Sequence, residues 1–198
     1  MHIIRISDMN GKNKLEDNHL WLLLRKGDRE ALSGLFKKYY KPLLNYGLSL
    51  VFQRELIKDS IQELFYTIWE SRERLKDIEY IRPYLFASMR RMVYRQLSIQ
   101  DRRHKRDELY QVETTDMELN AEQIIVMEEL KKEKSERLRL AIQQLKGRNR
   151  EAAFLKFYNG LSNSEIAEVM GVSDQSVYNY IYRAVTILQE SLNISISA

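Results

Sequence analysis

The chain has no cysteine among its 198 residues, which rules out disulfides and thiolate metal sites and fits a reducing compartment such as the cytoplasm. Histidine is nearly as scarce. His2, His19 and His104 stand alone, no pair sits at ligand spacing, and neither a metal site nor any other cofactor is expected. Two prolines, seven glycines and the lack of any long β-branched alternating run argue against a sheet and for an all-α protein. No apolar stretch approaches the roughly 20 residues that cross a bilayer. The run from Trp21 to Leu24 stops at Arg25, and the opening MHIIRISDMNGK turns polar too soon for a signal peptide, so a cytoplasmic protein without direct membrane insertion is expected. No nucleophile–base pair or phosphate-binding loop is visible either, so no catalytic residues are expected and the chain does not read as an enzyme.

What the chain has in quantity is charge, 30% of residues, and the charge is segregated. Residues 82–106 carry eight Lys or Arg against Asp101 alone, a balance of +7. Residues 107–136 carry ten Asp or Glu against three lysines, a balance of −7, within a net charge of only +4. A basic block suits a polyanion; an acidic block beside it can imitate one and fold back on it in the free protein.

The most informative stretch is 161–192, LSNSEIAEVMGVSDQSVYNYIYRAVTILQESL. Ser162 with Glu165 three residues on forms a capping box that starts a helix. Gly171 ends it with the positive φ of a tight turn. Ser173 caps a second helix whose apolar residues Val177, Ile181, Ala184, Leu188 and Leu192 recur at helical spacing. Ala167, Gly171 and Val177 occupy the crossing, turn and locking positions of a helix-turn-helix. The second helix then turns Gln175, Ser176, Tyr178, Asn179, Tyr182 and Arg183 outward, and amide, hydroxyl, phenol and guanidinium groups suit bases and phosphates. A bare helical hairpin is the bland alternative.

Upstream, residues 1–14 read as a flexible lead-in. A helix begins near Asp17, a second is capped by Asp28 and contains Pro42, and a third spans about 55–74 with Asp59, Gln62, Glu63, Tyr66 and Glu70 to the side or outward. After a loop at 74–83, PYLFASMRRMVYRQL interleaves Tyr84, Phe86 and Tyr94 with Arg90, Arg91 and Arg95, the pairing of ring faces and guanidinium groups that holds unstacked bases and their phosphates. A charged linker from about 99 to 120 follows, then a long helix capped by Asn120, then the helices that lead into the helix-turn-helix. The predicted architecture is two small helical domains, 15–100 and 121–198, joined by the charged linker at 101–120.

Three segments together resemble a known family. RKGDREALSGLFKKYY, DSIQELFYTIW and LKGRNREAAFLKFYNGLSNSEIAEVMGVSDQSVYNYIYRA are similar, in this order, to the extracytoplasmic-function sigma factors of bacterial RNA polymerase. The resemblance spans about 15–100 and 121–192. It implies a sigma factor that directs promoter recognition and transcription initiation, with core RNA polymerase, promoter DNA and an anti-sigma factor as partners. By the same resemblance, Asp59, Gln62 and Glu63 contact the polymerase largest subunit while Phe65 and Trp69 pack the domain. The loop 75–82 and the helix with Tyr84, Arg90, Arg91, Tyr94 and Arg95 hold the melted minus-ten strand. Gln175, Ser176, Tyr178, Asn179, Tyr182 and Arg183 lie on the helix that reads the minus-thirty-five duplex. Many relatives carry basic side chains where this chain has Tyr178 and Tyr182, so its base preference should be its own. Two other readings compete: a helix-turn-helix repressor or activator with a helical ligand or dimerisation domain, and a helical nuclease using acidic pairs such as Glu128 and Glu129.

Overall fold

The computed structural model describes the backbone of residues 6–78, 80–107 and 144–192, and within these every regular element is helical. Helices α1 (Ile6–Arg25), α2 (Arg29–Leu50), α3 (Arg54–Glu70) and α4 (Ile81–Asp107) build the N-terminal part, with a 3-10 turn at Arg72–Arg74. Helix α5 (Gly147–Ala153) opens into one π turn (Phe154–Tyr158) and is followed by α6 (Asn163–Met170) and α7 (Asp174–Leu192).

The expected loose lead-in gives way to helix, since α1 begins at Ile6. Asp17 is therefore no cap: it is buried inside the helix, accepts the Tyr39 hydroxyl and lies 2.7 Å from the Lys38 ammonium. Burial first, and then the hydrogen bond to Asp17, push the Tyr39 phenol well above its ordinary pKa. A contact across 22 residues leaves no trace in local pattern.

Asp28 does cap α2, its Oδ1 accepting from the amides of Glu30 at 2.8 Å and Ala31 at 3.1 Å. Pro42 neither divides nor ends that helix. Gly47 marks the closest approach among α2, α3 and α4: a Cβ there would stand 2.5 Å from Ile57 Cγ2 and 3.0 Å from Met89 Cε, both on buried side chains. Gly47→Ala should accordingly cost about 1–3 kcal/mol through overpacking, despite the better helix propensity of alanine, and thermal unfolding followed by circular dichroism checks it.

Pro83 sits in the first turn of α4, where its missing amide hydrogen is no loss. The helix then runs on to Asp107, through the first residues of the expected linker. The remainder of that linker, the helix predicted from Asn120, the acidic block from 108 onward with Glu128 and Glu129, and any fold-back of it lie outside the described residues.

The apolar side chains form one continuous core that crosses from the first part of the chain to the second. Trp21, Leu43, Ile57, Ile61, Phe86 and Met89 join Leu155, Leu161, Ile166 and Met170 in it. Helix α4 packs along α6, and α2 reaches α5 and its π turn. A smaller cluster of Leu145, Ala153 and Ala184 fastens α5 to α7.

Candidate nucleic-acid interface

In the C-terminal part the capping box is complete. Ser162 Oγ accepts the Glu165 amide at 3.2 Å and Glu165 Oε2 accepts the Ser162 amide at 2.7 Å. Gly171 ends α6 at φ 64°, ψ 44°, and nothing lies within 4 Å of where its Cβ would be, so its role is conformational. Ala167 and Val177 are buried at the crossing of α6 and α7. That packing fixes which face of α7 is left outside.

Gln175, Tyr178, Asn179, Tyr182 and Arg183 are all exposed along that face. Gln175 Nε2 donates to Asn179 Oδ1 at 3.3 Å, so two amides are presented together. The rings of Tyr178 and Tyr182, 58% and 63% exposed, lie nearly parallel at 6.4 Å between centroids. Ser176 differs from its neighbours: half-buried, its amide bonds Ser173 Oγ at 3.3 Å and its hydroxyl lies 3.0 Å from the same oxygen, which makes it part of the helix cap.

Helix α4 does not gather its five candidates on one surface. Tyr84, Arg91 and Arg95, seven and then four residues apart, fall along one stripe, because two and three helical turns bring positions into register. Arg91 and Arg95 are exposed, while Tyr84 is half-buried with its ring edge-on to Trp21 at 5.5 Å. Arg90 and Tyr94 lie on another side, facing the C-terminal helices. Arg90 Nε donates to Glu151 Oε1 at 2.8 Å and its guanidinium sits 4.7 Å over the Tyr94 ring. Burial alone would lower the pKa of Arg90; the hydrogen bond and charge of Glu151 outweigh it and raise it. Tyr94 is raised by its own burial and then by the charge of Glu151.

Glu151 is the residue the sequence concealed. It is 3% exposed and its Oε1 also accepts the hydroxyl of Tyr46 at 2.7 Å, so one carboxylate of the C-terminal part binds two side chains of the N-terminal part. Within REAAFL it reads as one more solvated helical acid, and no local signal distinguishes it.

On α3, Asp59, Gln62 and Glu63 are exposed together with Tyr66 and Glu70. Glu63 accepts a hydrogen bond from Gln96 at 3.2 Å, which ties the acidic face to α4. Phe65 is buried and Trp69 half-buried beneath Arg72, whose guanidinium lies 4.6 Å from the ring centroid. Beside this face Leu32, Phe36, Phe65, Tyr66 and Trp69 line a shallow groove of about 290 Å³. Among the described residues no cluster of His, Cys, Asp or Glu could hold a metal ion, and no helix is long and apolar enough to cross a membrane.

An all-α chain with a capped helix-turn-helix, a second helix carrying exposed amides and aromatics, and basic stripes on a preceding domain defines a DNA-binding regulator. Comparison with known proteins narrows that class. Residues 135–188 match the family described as sigma-70, region 4. No curated protein matches the sequence. Among solved structures the chain is similar to CnrH in complex with the cytosolic domain of CnrY, at 19% identity and a TM-score of 0.62 over 91% of this chain and 99% of that one. It is likewise similar to the sigma factor RpoE in complex with the anti-sigma factor NepR from Bartonella quintana, at 18% identity and a TM-score of 0.59 over 82% of this chain and 99% of that one. Those two likenesses concern the fold, and the family match concerns the helix-turn-helix. Residues 135–188 thus carry a sigma-70 region 4 domain, and the chain as a whole shares the helical fold of those two solved structures.

Proposed function

We propose that the chain docks on core RNA polymerase through α3, captures the melted minus-ten strand along α4, and reads the minus-thirty-five duplex with α7. The division of labour follows the domains 15–100 and 121–198, with the chemistry of RNA synthesis left to the polymerase. The observation that carries the reading is the outward face of α7, held by the capping box, Gly171 and Val177 in the attitude of a recognition helix. Supporting it are the exposed carboxylates of Asp59 and Glu63, suited to a basic partner, and the exposed Arg91 and Arg95 beside Tyr84, suited to strand phosphates and unstacked bases. Opening a duplex costs a few kcal/mol per unstacked step, and capture of the freed strand offsets it.

The paired amides of Gln175 and Asn179 suit the N6 and N7 edge of adenine, and the exposed rings of Tyr178 and Tyr182 suit a thymine methyl, so the upstream element should contain A·T pairs beneath these residues. Asn179→Ala should then lose about 1–3 kcal/mol of discrimination at one base pair, read by competition binding with single-position substitutions in the element. An anti-sigma factor is proposed as a further partner, a role supported by the RpoE and NepR complex. The decisive experiment is run-off transcription with purified core polymerase on promoter-library templates. Transcripts that depend on the added chain are the expected result, and none at any ratio of chain to core overturns the proposal.

A further inference from the structure

We infer that Tyr178 and Tyr182 read pyrimidine C5-methyl groups, and that methylation of cytosine at C5 within the upstream element regulates its recognition. The inference rests on the proposed use of α7 as the helix that reads that element. It adds a chemical mark on the DNA to which the same site responds.

The starting point is how the outward face of α7 is divided. Successive helical residues turn by about 100°, so Tyr178 and Tyr182 fall on one flank, Gln175 and Asn179 along the middle, and Arg183 on the other flank. The rotation is fixed, because Val177 and Ala184 on the opposite side are fully buried. The two amides are bonded to each other at 3.3 Å, and the two rings lie 6.4 Å apart with 16° between their planes. Each ring limits the rotamers open to the other. Polar groups therefore occupy the centre and one flank, while the other flank offers flat apolar surface.

More than half of each tyrosine is exposed, so this flank gains by covering apolar surface of whatever it meets. On the base edges of the major groove the apolar group is the C5-methyl of thymine. One base step rises about 3.4 Å, so rings centred 6.4 Å apart reach pyrimidine edges on neighbouring base pairs.

Position 4 of the pyrimidine decides how far the reading extends. Thymine shows an O4 acceptor there and cytosine an N4 donor, and a carboxylate is the side chain that selects the donor. Gln175, Tyr178, Asn179, Tyr182 and Arg183 include no carboxylate. Phenol hydroxyls and amides both donate and accept, so neither tells O4 from N4. What separates thymine from cytosine on this flank is the methyl. 5-Methylcytosine carries the same methyl on the same carbon, and to the tyrosines it is equivalent to thymine. The paired purine is read separately: the amides favour adenine, so a methylated C·G pair recovers the methyl part alone. Covering one methyl is worth about fourfold in affinity, and covering one under each ring about fifteenfold.

The test uses core polymerase loaded with the full chain, and duplexes carrying an upstream element chosen by run-off transcription. In competition binding each thymine is replaced in turn by deoxyuridine, which lacks only the methyl, and each T·A pair by C·G with and without the C5-methyl. Deoxyuridine should cost about fourfold at one or two positions, and at those positions 5-methylcytosine should bind about fourfold better than cytosine. Tyr178→Ala and Tyr182→Ala should each weaken binding to the parent element and abolish the methyl response at one position. Tyr178→Phe and Tyr182→Phe should keep the response, because the ring face and not the hydroxyl is the reader. Equal binding of thymine and deoxyuridine at every position overturns the inference, as does a methyl response that survives both alanine changes. If loaded polymerase yields no transcript from any template, the sigma reading falls. The free chain is then compared on duplexes selected by its own binding, and the same two outcomes decide the methyl reading.

Discussion

Reversing Asp59 and Glu63 together to lysine is expected to weaken binding to core RNA polymerase by about a hundredfold or more, because like charges brought face to face across an interface cost several kcal/mol. Both residues are exposed on α3, four apart on the same side, with Gln62 between them and Tyr66 and Glu70 continuing the face. The fold has little stake in either. Asp59 is exposed while its neighbours Ser60 and Ile61 are the buried positions, and among the described residues the contact of Glu63 that would be lost is an exposed 3.2 Å hydrogen bond from Gln96. Substitutions at exposed positions of that kind usually move stability by no more than about 0.5 kcal/mol. The repulsion between two like charges four apart is present before and after the change, so that pair's effect on the helix is nearly balanced. The measurement is a titration of labelled core against the variant, with its thermal melt alongside. Unchanged polymerase affinity at an unchanged melting temperature would remove α3 from the interface, whereas a collapsed melting temperature would say that the face is structural.

Much of the fold could be read from the sequence where the determinants are local. The Asp28 cap, the Ser162–Glu165 box, the Gly171 turn and the period of Ile57, Ile61, Leu64 and Ile68 each act within a few residues, and each is present as expected. The same holds for the outward face of α7, which Val177 and Ala184 determine by being buried. Ser176 shows the limit of that reasoning, since helical position alone cannot tell a reader of bases from a member of the cap. The features that escaped depend on contacts over long separations. Asp17 is a buried partner of Tyr39, 22 residues away, and Glu151 meets Tyr46 and Arg90 at separations of 105 and 61 residues. Composition and spacing mark such acids as solvated, and only the packing of α1 against α2 for Asp17, and of α5 beside α2 and α4 for Glu151, shows that they are not. The division of α4 into two sides, one open and one committed to the seam, was hidden for the same reason.

That division separates two arginine variants that the sequence alone would treat alike. Arg91→Ala with Arg95→Ala removes two exposed guanidinium groups from one stripe of α4, and it should lower open-complex formation by about ten- to a hundredfold while polymerase binding through α3 persists. The reasoning is electrostatic. Each phosphate contact to a single strand adds about 0.7 to the slope of log affinity against log salt, so the slope should flatten by about 1.4. Among the described residues, the contact the change would remove is a 2.9 Å bond from Arg91 to Ser88 Oγ one turn away, and stability should hardly move. Arg90→Ala acts differently. It takes one guanidinium from the melted strand but also strips Glu151 of the cation hydrogen-bonded to it, and a buried carboxylate left without that partner costs about 3–5 kcal/mol if the seam stays shut. The domains escape that cost by separating, which hydrates Glu151. The Arg90 variant should therefore melt at lower temperature and bind upstream duplex at least as well as the parent, while the Arg91 and Arg95 variant keeps its melting temperature and loses the bubble. Permanganate footprinting of the minus-ten thymines, read beside the two melting curves, distinguishes the outcomes: normal reactivity in the double variant would remove this stripe from strand capture, and a parent-like melting curve for Arg90→Ala would mean that the Glu151 pair contributes little to holding the domains together.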